Sequence, residues 1–328
     1  MKVAIIGSTG LVGTEIIKIL EKQKKPKIEK LILVASKKNI GTEITYKNKK
    51  KKIISISEAI KQKPEYALFS AGSDVALKYA KSFSKKGTIV IDNSSAFRMD
   101  KKTKLIVPEI NKEIITKKDT IISNPNCSTI QLVLAINQIH QKLKIKRLII
   151  STYQAVSGTG HAGIKQLESE ERNQKPKATA YKKNIHRNVI PKCDAFSKNG
   201  YTKEEEKIIN ETNKILNSKI KITATAVRVP TIGGHGESVN VETEKTATIK
   251  QLIKILKNQK GILVQEGKEF KTPSETKGKN TVYVSRIRKD ETVKAGFNMW
   301  IVADPLRKGA ATNAIQILNH IYSLKNLS

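Results

Sequence analysis

The run Asn124-Pro125-Asn126-Cys127-Ser128-Thr129 places a cysteine where it could act as a nucleophile. It follows a short apolar strand at 120–123 and a proline turn, and it opens an apolar helix at 129–139. A thiol in the first helical turn faces unpaired backbone N–H groups and the positive end of the helix dipole, a setting that favours the thiolate. The bland alternative for Cys127 is a small buried apolar residue. Cys193 is the only other cysteine, so no disulfide framework is expected. A thiolate attacking an acyl carbon also needs proton traffic, oxyanion donors, substrate anchors and an exit for the leaving group. His235, in Gly233-Gly234-His235-Gly236-Glu237-Ser238, is the candidate acid/base, because flanking glycines leave little bulk around it. His140 and His320 lie on helical patterns and read as structural, whereas His161 and His186 sit in polar loops and stay open as candidates. Arg228 and Arg98 each end a strand-like segment, where a guanidinium can clamp a carboxylate or phosphate with paired hydrogen bonds. Oxyanion donors cannot be assigned from the sequence. Neither His-Glu-x-x-His nor a carboxylate cluster with ligand spacing occurs, so no metal site is expected.

These residues need a frame. The first 125 residues alternate strand patterns (3–6, 31–35, 66–70, 88–91) with helical ones (11–20, 75–83), which predicts a mostly parallel sheet wrapped by helices. Gly7-Ser8-Thr9-Gly10-Leu11-Val12-Gly13 joins the first strand to the first helix. Glycines there let the backbone approach a pyrophosphate, and the helix N-terminus supplies N–H donors. The end of the second strand reads Ala35-Ser36-Lys37-Lys38-Asn39, with no carboxylate for a ribose 2′-hydroxyl; a hydroxyl and two cations suit a 2′-phosphate, hence NADP(H). After the cysteine helix the pattern shifts to long β-rich runs at 147–156, 221–229, 238–244, 281–288 and 294–303. Helical patterns at 162–171 and 204–216 and an irregular polar stretch at 173–191 accompany them, suggesting a mixed sheet with helices on one face.

The net charge of +33 invites a nucleic-acid reading, but only eight of the 62 basic residues are arginine. The lysines are dispersed among isoleucine and asparagine, as in a coding bias toward AT-rich codons. Nucleic-acid surfaces cluster charge and add arginine forks or aromatic platforms. The densest run, 47–52, falls between strand-like segments with only Tyr46 nearby, so no dedicated nucleic-acid partner is expected. No signal-peptide pattern or membrane-spanning apolar stretch occurs, and two cysteines fit a reducing cytoplasm.

Together the motifs GSTGLVG (7–13), DNSSAFR (92–98), NPNCST (124–129), TYQAVSGTG (152–160), RVPTIGGHGES (228–238) and LRKGAATNA (306–314) resemble those of the aspartate-β-semialdehyde dehydrogenases along nearly the whole chain. The resemblance implies an α/β fold: a Rossmann-type doubly wound parallel sheet (1–126, completed by a helix at 310–328) with a second α+β catalytic and dimerisation domain (127–309). It implies Cys127 as the acyl-thioester nucleophile and His235 as acid/base. Asn126, Gln154, Arg228 and Glu204 would bind substrate, with the run Glu204-Glu205-Glu206 leaving the register open. Arg98 and Lys207 would bind phosphate. Gly7, Thr9, Gly10, Leu11, Val12, Ser36, Lys38, Ser157, Gly158 and Asn313 would contact NADP(H); Lys38 and Asn39 depart from the family's usual arginine and serine. The implied reaction is NADPH-dependent reductive dephosphorylation of L-aspartyl-4-phosphate in a cytoplasmic homodimer, feeding lysine, diaminopimelate, methionine and threonine synthesis. Two rivals are an N-acetyl-glutamyl-phosphate reductase, whose cysteine usually follows glycine rather than Asn126, and a non-catalytic polyanion-binding module.

Overall fold

The computed structural model describes residues 1–177 and 179–326. Ala178, in the expected 173–191 loop, and the last two residues of the 310–328 segment lie outside the described residues. The chain divides into two compact units, one of residues 1–125 with 310–328 and one of residues 126–309.

In the first unit β1 (Lys2–Ile6) leads into α1 (Leu11–Lys22), followed by β2 (Lys30–Val34) and a hairpin of β3 (Glu43–Tyr46) and β4 (Lys49–Ile54). Then come α2 (Ile56–Lys61), β5 (Tyr66–Phe69), α3 (Ser73–Ser84), β6 (Ile89–Asp92), β7 (Lys104–Leu105), α4 (Pro108–Asn111) and β8 (Ile121–Ser123). They form an eight-stranded sheet in the order β3-β4-β2-β1-β5-β6-β8-β7, parallel except for β3. Strand side chains alternate between two cores. Val3, Ile5, Leu31, Leu33 and Leu68 face α1 on one side, while Ala4, Ile6, Ile32, Val34 and Phe69 meet α2 and α3 on the other. Burial on both faces explains why these strands read as continuous apolar runs.

The lysine run expected to lie between strands is itself largely strand β4. Lys47 and Asn48 both take positive φ, a two-residue turn whose twist suits a hairpin, and most of the lysines point outward from the sheet margin.

The second unit opens with α5 (Cys127–Leu143), then β9 (Ile145–Ala155), α6 (His161–Glu171), α7 (Lys203–Ile215), β10 (Lys221–Val229) and β11 (His235–Thr243). It closes with α8 (Ile249–Lys257), β12 (Ile262–Val264), β13 (Val282–Lys289) and β14 (Gly296–Ala303). Its six-stranded mixed sheet runs β10-β9-β11-β14-β13-β12. α5 is apolar nearly all round because it is wrapped: it packs on α7, α8 and on β9, β11, β13 and β14. Finally α9 (Thr312–Asn326) belongs to the first unit, where Ile315, Leu318 and Ile321 complete the α1 side of its core.

Candidate active site

Asn126 is the N-cap of α5: its Oδ1 accepts from the N–H of Ser128 at 2.9 Å and of Thr129 at 3.2 Å. Cys127 is thereby the first residue of the helix, half-buried, with Gly309 against it so closely that a Cβ there would come within 2.9 Å of the cysteine Cβ. The other cysteine differs. Burial pushes the Cys193 thiol up to about 12.

A buried polar network spreads from this helix end. Asn126 Nδ2 donates to Glu204 Oε1 at 2.8 Å, and Gln154 Nε2 donates to the same oxygen at 3.2 Å and to Ser128 Oγ at 3.1 Å. Of the three consecutive glutamates, Glu205 closes a capping box with Thr202 and also accepts from Ala226 N–H, and Glu206 accepts from Ser197 and Asn199. Only Glu204 turns toward Gln154. Burial pushes its carboxyl up, but the Lys207 charge and hydrogen bonds from Asn126, Gln154 and Lys207 outweigh this and hold it below the usual carboxylate range. Lys207 Nζ, expected to hold phosphate, donates to Asp194 at 2.7 Å and Glu204 at 3.2 Å.

His235 opens β11 and is fully buried. Ala155, at the end of β9, organises it: the Ala155 N–H donates to His235 Nδ1 at 3.1 Å, and the Ala155 carbonyl accepts from Arg228 Nη1 at 2.8 Å. Because Nδ1 is an acceptor, the neutral ring carries its proton on Nε2. Desolvation first, then the Arg228 charge, depress the imidazole pKa to about 3. Nε2 has no partner among the described residues, and neither has Arg228 Nε. Gly158 lies over both groups; a Cβ there would stand 2.9 Å from His235 Nε2 and 2.9 Å from Arg228 Nη1. The glycine after His235 serves packing, since a Cβ on Gly236 would lie 2.2 Å from the Trp300 ring.

The irregular stretch at 173–191 is pinned by α6. Gln166 Oε1 accepts from the N–H groups of Ala180 and Tyr181, and Glu170 Oε2 from those of Ile185 and His186. It carries the Tyr181 ring to 6.0 Å from the Arg228 guanidinium. Neither Tyr181 nor the Ala155 backbone was signalled by a motif. His140 Nδ1 accepts from the Ile145 N–H, a structural bond.

In the first unit, Gly7 has a φ of +95°, and a Cβ on Gly13 would lie 2.1 Å from the Gly7 carbonyl oxygen, so both positions require glycine. Gly10 caps α1 without a side-chain bond, which leaves the first-turn N–H groups available to an anion. Thr9 Oγ1 accepts from Asn39 Nδ2 at 3.2 Å, and Ser36 and Lys38 are exposed just beyond β2. This cradle fits a dinucleotide. Arg98 is buried, with Nε on the Asn124 carbonyl at 3.0 Å and Nη2 on the Asn93 carbonyl at 2.7 Å. Asn313 is buried too, its amide on Ile106 O and Asn124 Oδ1. Ser157 Oγ, in the second unit, donates to Gly233 O at 3.4 Å. Among the described residues no group of three or more His, Cys, Asp or Glu could hold a metal ion, and no helix is long and apolar enough to cross a membrane.

Comparison with known proteins places these features. The profile of the semialdehyde dehydrogenase NAD binding domain matches residues 2–118, and that of the semialdehyde dehydrogenase dimerisation domain matches residues 136–308. The aspartate-semialdehyde dehydrogenase of Aquifex aeolicus is 44% identical, covering 96% of each chain. That of Bacillus subtilis is 40% identical over 100% of this chain and 98% of its own. A crystal structure of aspartate semialdehyde dehydrogenase II from Vibrio cholerae, complexed with ASA, superposes with a TM-score of 0.93 at 38% identity, covering 99% of this chain and 98% of the other. The chain belongs to the aspartate-semialdehyde dehydrogenase family.

Proposed function

We propose that this protein catalyses the NADPH-dependent reductive dephosphorylation of L-aspartyl-4-phosphate to L-aspartate 4-semialdehyde through a Cys127 thioester. The step would serve lysine, diaminopimelate, methionine and threonine synthesis in the cytoplasm. The observation that carries this reading is one buried site in which a neutral imidazole donor and two opposite charges adjoin the helix opened by Cys127.

Arg228 and Glu204 both act electrostatically on His235, so a guanidinium and a carboxylate lie around the same ring. They match the carboxylate and ammonium of a free α-amino acid. An acetylated amine would carry no charge to meet Glu204, which disfavours the N-acetyl-glutamyl alternative.

The Cys127 thiolate adds to the acyl phosphate carbon, forming the C–S bond and an oxyanion, and collapse of that oxyanion re-forms the carbonyl and expels phosphate with the C–O electron pair. NADPH, when bound, supplies the hydride that reduces the thioester. The second oxyanion then collapses, breaks the C–S bond and releases the aldehyde and the thiolate. Each tetrahedral species needs a hydrogen-bond donor at its oxygen. His235 Nε2–H supplies one without changing its charge. This role is narrower than the proton carrier expected from the resemblance, and the reason is the Ala155 N–H on Nδ1.

For the cofactor, Gly7, Thr9, Gly10, Leu11 and Val12 would hold the pyrophosphate, and Ser36 and Lys38 the 2′-phosphate. A homodimer is supported by the match to a dimerisation domain and by the second sheet, where Ile149 and Tyr153 are each 38% exposed and Tyr153 packs on Trp300; sedimentation as a monomer would overturn it. The functional test is phosphate-dependent reduction of NADP by aspartate semialdehyde, with NAD in parallel and Cys127→Ala as control. A signal that needs phosphate, prefers NADP and vanishes in the variant is expected. Turnover by Cys127→Ala would remove the nucleophile assignment, and preference for NAD would remove the cofactor assignment.

A further inference from the structure

Glu237 has no part in this mechanism, yet it lies two residues along β11 from His235 and on the same, helix-covered face of the sheet. It is 0% exposed. Its neighbours on that face are Val239, Val241, Ile150 and Ile301, all buried. Neither of its carboxyl oxygens has a hydrogen-bond partner among the described residues. A carboxylate left this way in an apolar core is strongly destabilised. An un-ionised acid is destabilised far less, and it brings a donor.

Acceptors are at hand. The residue directly opposite on β9 is Thr152, fully buried, whose Oγ1 is likewise without a partner. Side chains at such paired positions lie on the same face, with Cβ atoms about 5 Å apart. The third member is Gln131 on α5, one helical turn after Cys127. Its Nε2 donates to the His235 carbonyl at 3.1 Å. The same amide also acts as a donor toward the Glu237 carboxyl, favouring its charged form, though not in a hydrogen bond of good geometry. Burial outweighs this donor and, with the nearby Glu204 charge, pushes the Glu237 carboxyl well above the usual range.

We propose that Glu237 is a positioning residue: as an un-ionised acid facing Thr152 it buttresses the Gln131 amide on the His235 carbonyl, fixing the helix that starts at Cys127 against the strand that starts at His235. The positioning claim rests on the reading of Cys127 and His235 as partners in one reaction.

The test compares wild type, Glu237→Gln and Glu237→Leu. Infrared spectra at neutral pH are expected to show the carbonyl stretch of an un-ionised carboxyl that is missing in Glu237→Gln; its absence from wild type would overturn the proposal without reference to any substrate. In aspartate semialdehyde oxidation, Glu237→Leu is expected to lose about 10- to 100-fold in kcat with little change in KM, as for a sub-ångström misplacement. Glu237→Gln should restore kcat to within about two-fold, since it keeps a neutral donor of the same shape. Wild-type kcat in Glu237→Leu, or equal losses in both variants, would overturn the positioning role. If Glu237→Leu fails to fold, Gln131→Leu takes its place with the same expected loss. If wild type does not oxidise the semialdehyde, the functional reading fails separately, and the alkylation rate of Cys127 in the same proteins replaces kcat as the readout, with the same ordering required.

Discussion

Gly158→Ala tests whether the arrangement around His235 performs the chemistry. Gly158 does not take the left-handed backbone conformation, so alanine fits the main chain there. The added methyl would stand 2.9 Å from His235 Nε2, 2.9 Å from Arg228 Nη1 and 3.1 Å from His235 Cε1, whereas ordinary contacts begin at 3.4 Å. Ring and guanidinium must therefore retreat by roughly half an ångström. Neither is free to swing, because both are tied to Ala155, by bonds of 3.1 Å and 2.8 Å. Weakening one such buried bond costs about 1–3 kcal/mol. The methyl also covers Nε2, the atom that must reach the oxyanion. We expect kcat to fall about 10- to 100-fold, equivalent to roughly 1.4–2.7 kcal/mol of transition-state stabilisation. Steady-state kinetics in the oxidative direction, with a thermal melt to establish folding, reads the effect. Wild-type kcat in the folded variant, or a rise in KM alone, would refute the reasoning.

Burial pushes Cys193 up to about 12, so about 10⁻⁵ of it is thiolate at neutral pH. Iodoacetamide on native protein is therefore expected to modify Cys127 alone, read by peptide mass spectrometry; equal labelling of both cysteines would contradict the buried setting of Cys193. The His235 pKa is depressed by burial and Arg228 from 6.5 to about 3, so the unfolded chain takes up the proton first on acidification. Its contribution is fully present above about pH 6.5 and is lost as pH falls toward 3, with a slope of up to about 1.4 kcal/mol per pH unit. Between pH 7.5 and 5 the stability of wild type relative to His235→Gln should drop by about 2 kcal/mol in urea unfolding. A pH-independent difference would mean that the folded ring titrates as it does in the unfolded chain.

Much of the architecture was legible because both hydrophobic periods are strong. Continuous apolar runs marked the strands of the first sheet, buried on both faces, and the glycine loop marked the turn where Gly13 meets Gly7. The hairpin of β3 and β4 was hidden because its strand is written in lysine, a poor strand former that suits an edge. α8 was missed although its apolar positions follow a helical period, the segment being short and lysine-rich. At the site, side-chain chemistry was visible as residue type, but backbone chemistry was not. Nothing in an alanine signals that its N–H sets a histidine tautomer while its carbonyl holds an arginine, since that follows from the pairing of β10 with β9 and from where β11 begins. Gln131 and Glu237 did carry a signal, polar residues inside an apolar helix and strand, but without the fold they could not be joined.

The charges around His235 differ in how well they are satisfied, and the difference marks where a substrate would bind. Glu204 receives bonds from Asn126, Gln154 and Lys207, which keeps it ionised in a buried position. Arg228 is held by Nη1 on Ala155 and lies over the Tyr181 ring, but among the described residues its Nε has no partner, and neither has His235 Nε2. A buried donor of this kind costs stability until an acceptor engages it. A carboxylate on Arg228 would also weaken the second of the two causes that depress His235, while burial, the first, persists. The ring would thus remain neutral with substrate bound, keeping Nε2–H as the donor through both collapses of the oxyanion. On the proposed thioester route one neutral donor would serve two successive tetrahedral species, because neither displacement of phosphate nor release of the aldehyde would require a net proton transfer at the ring.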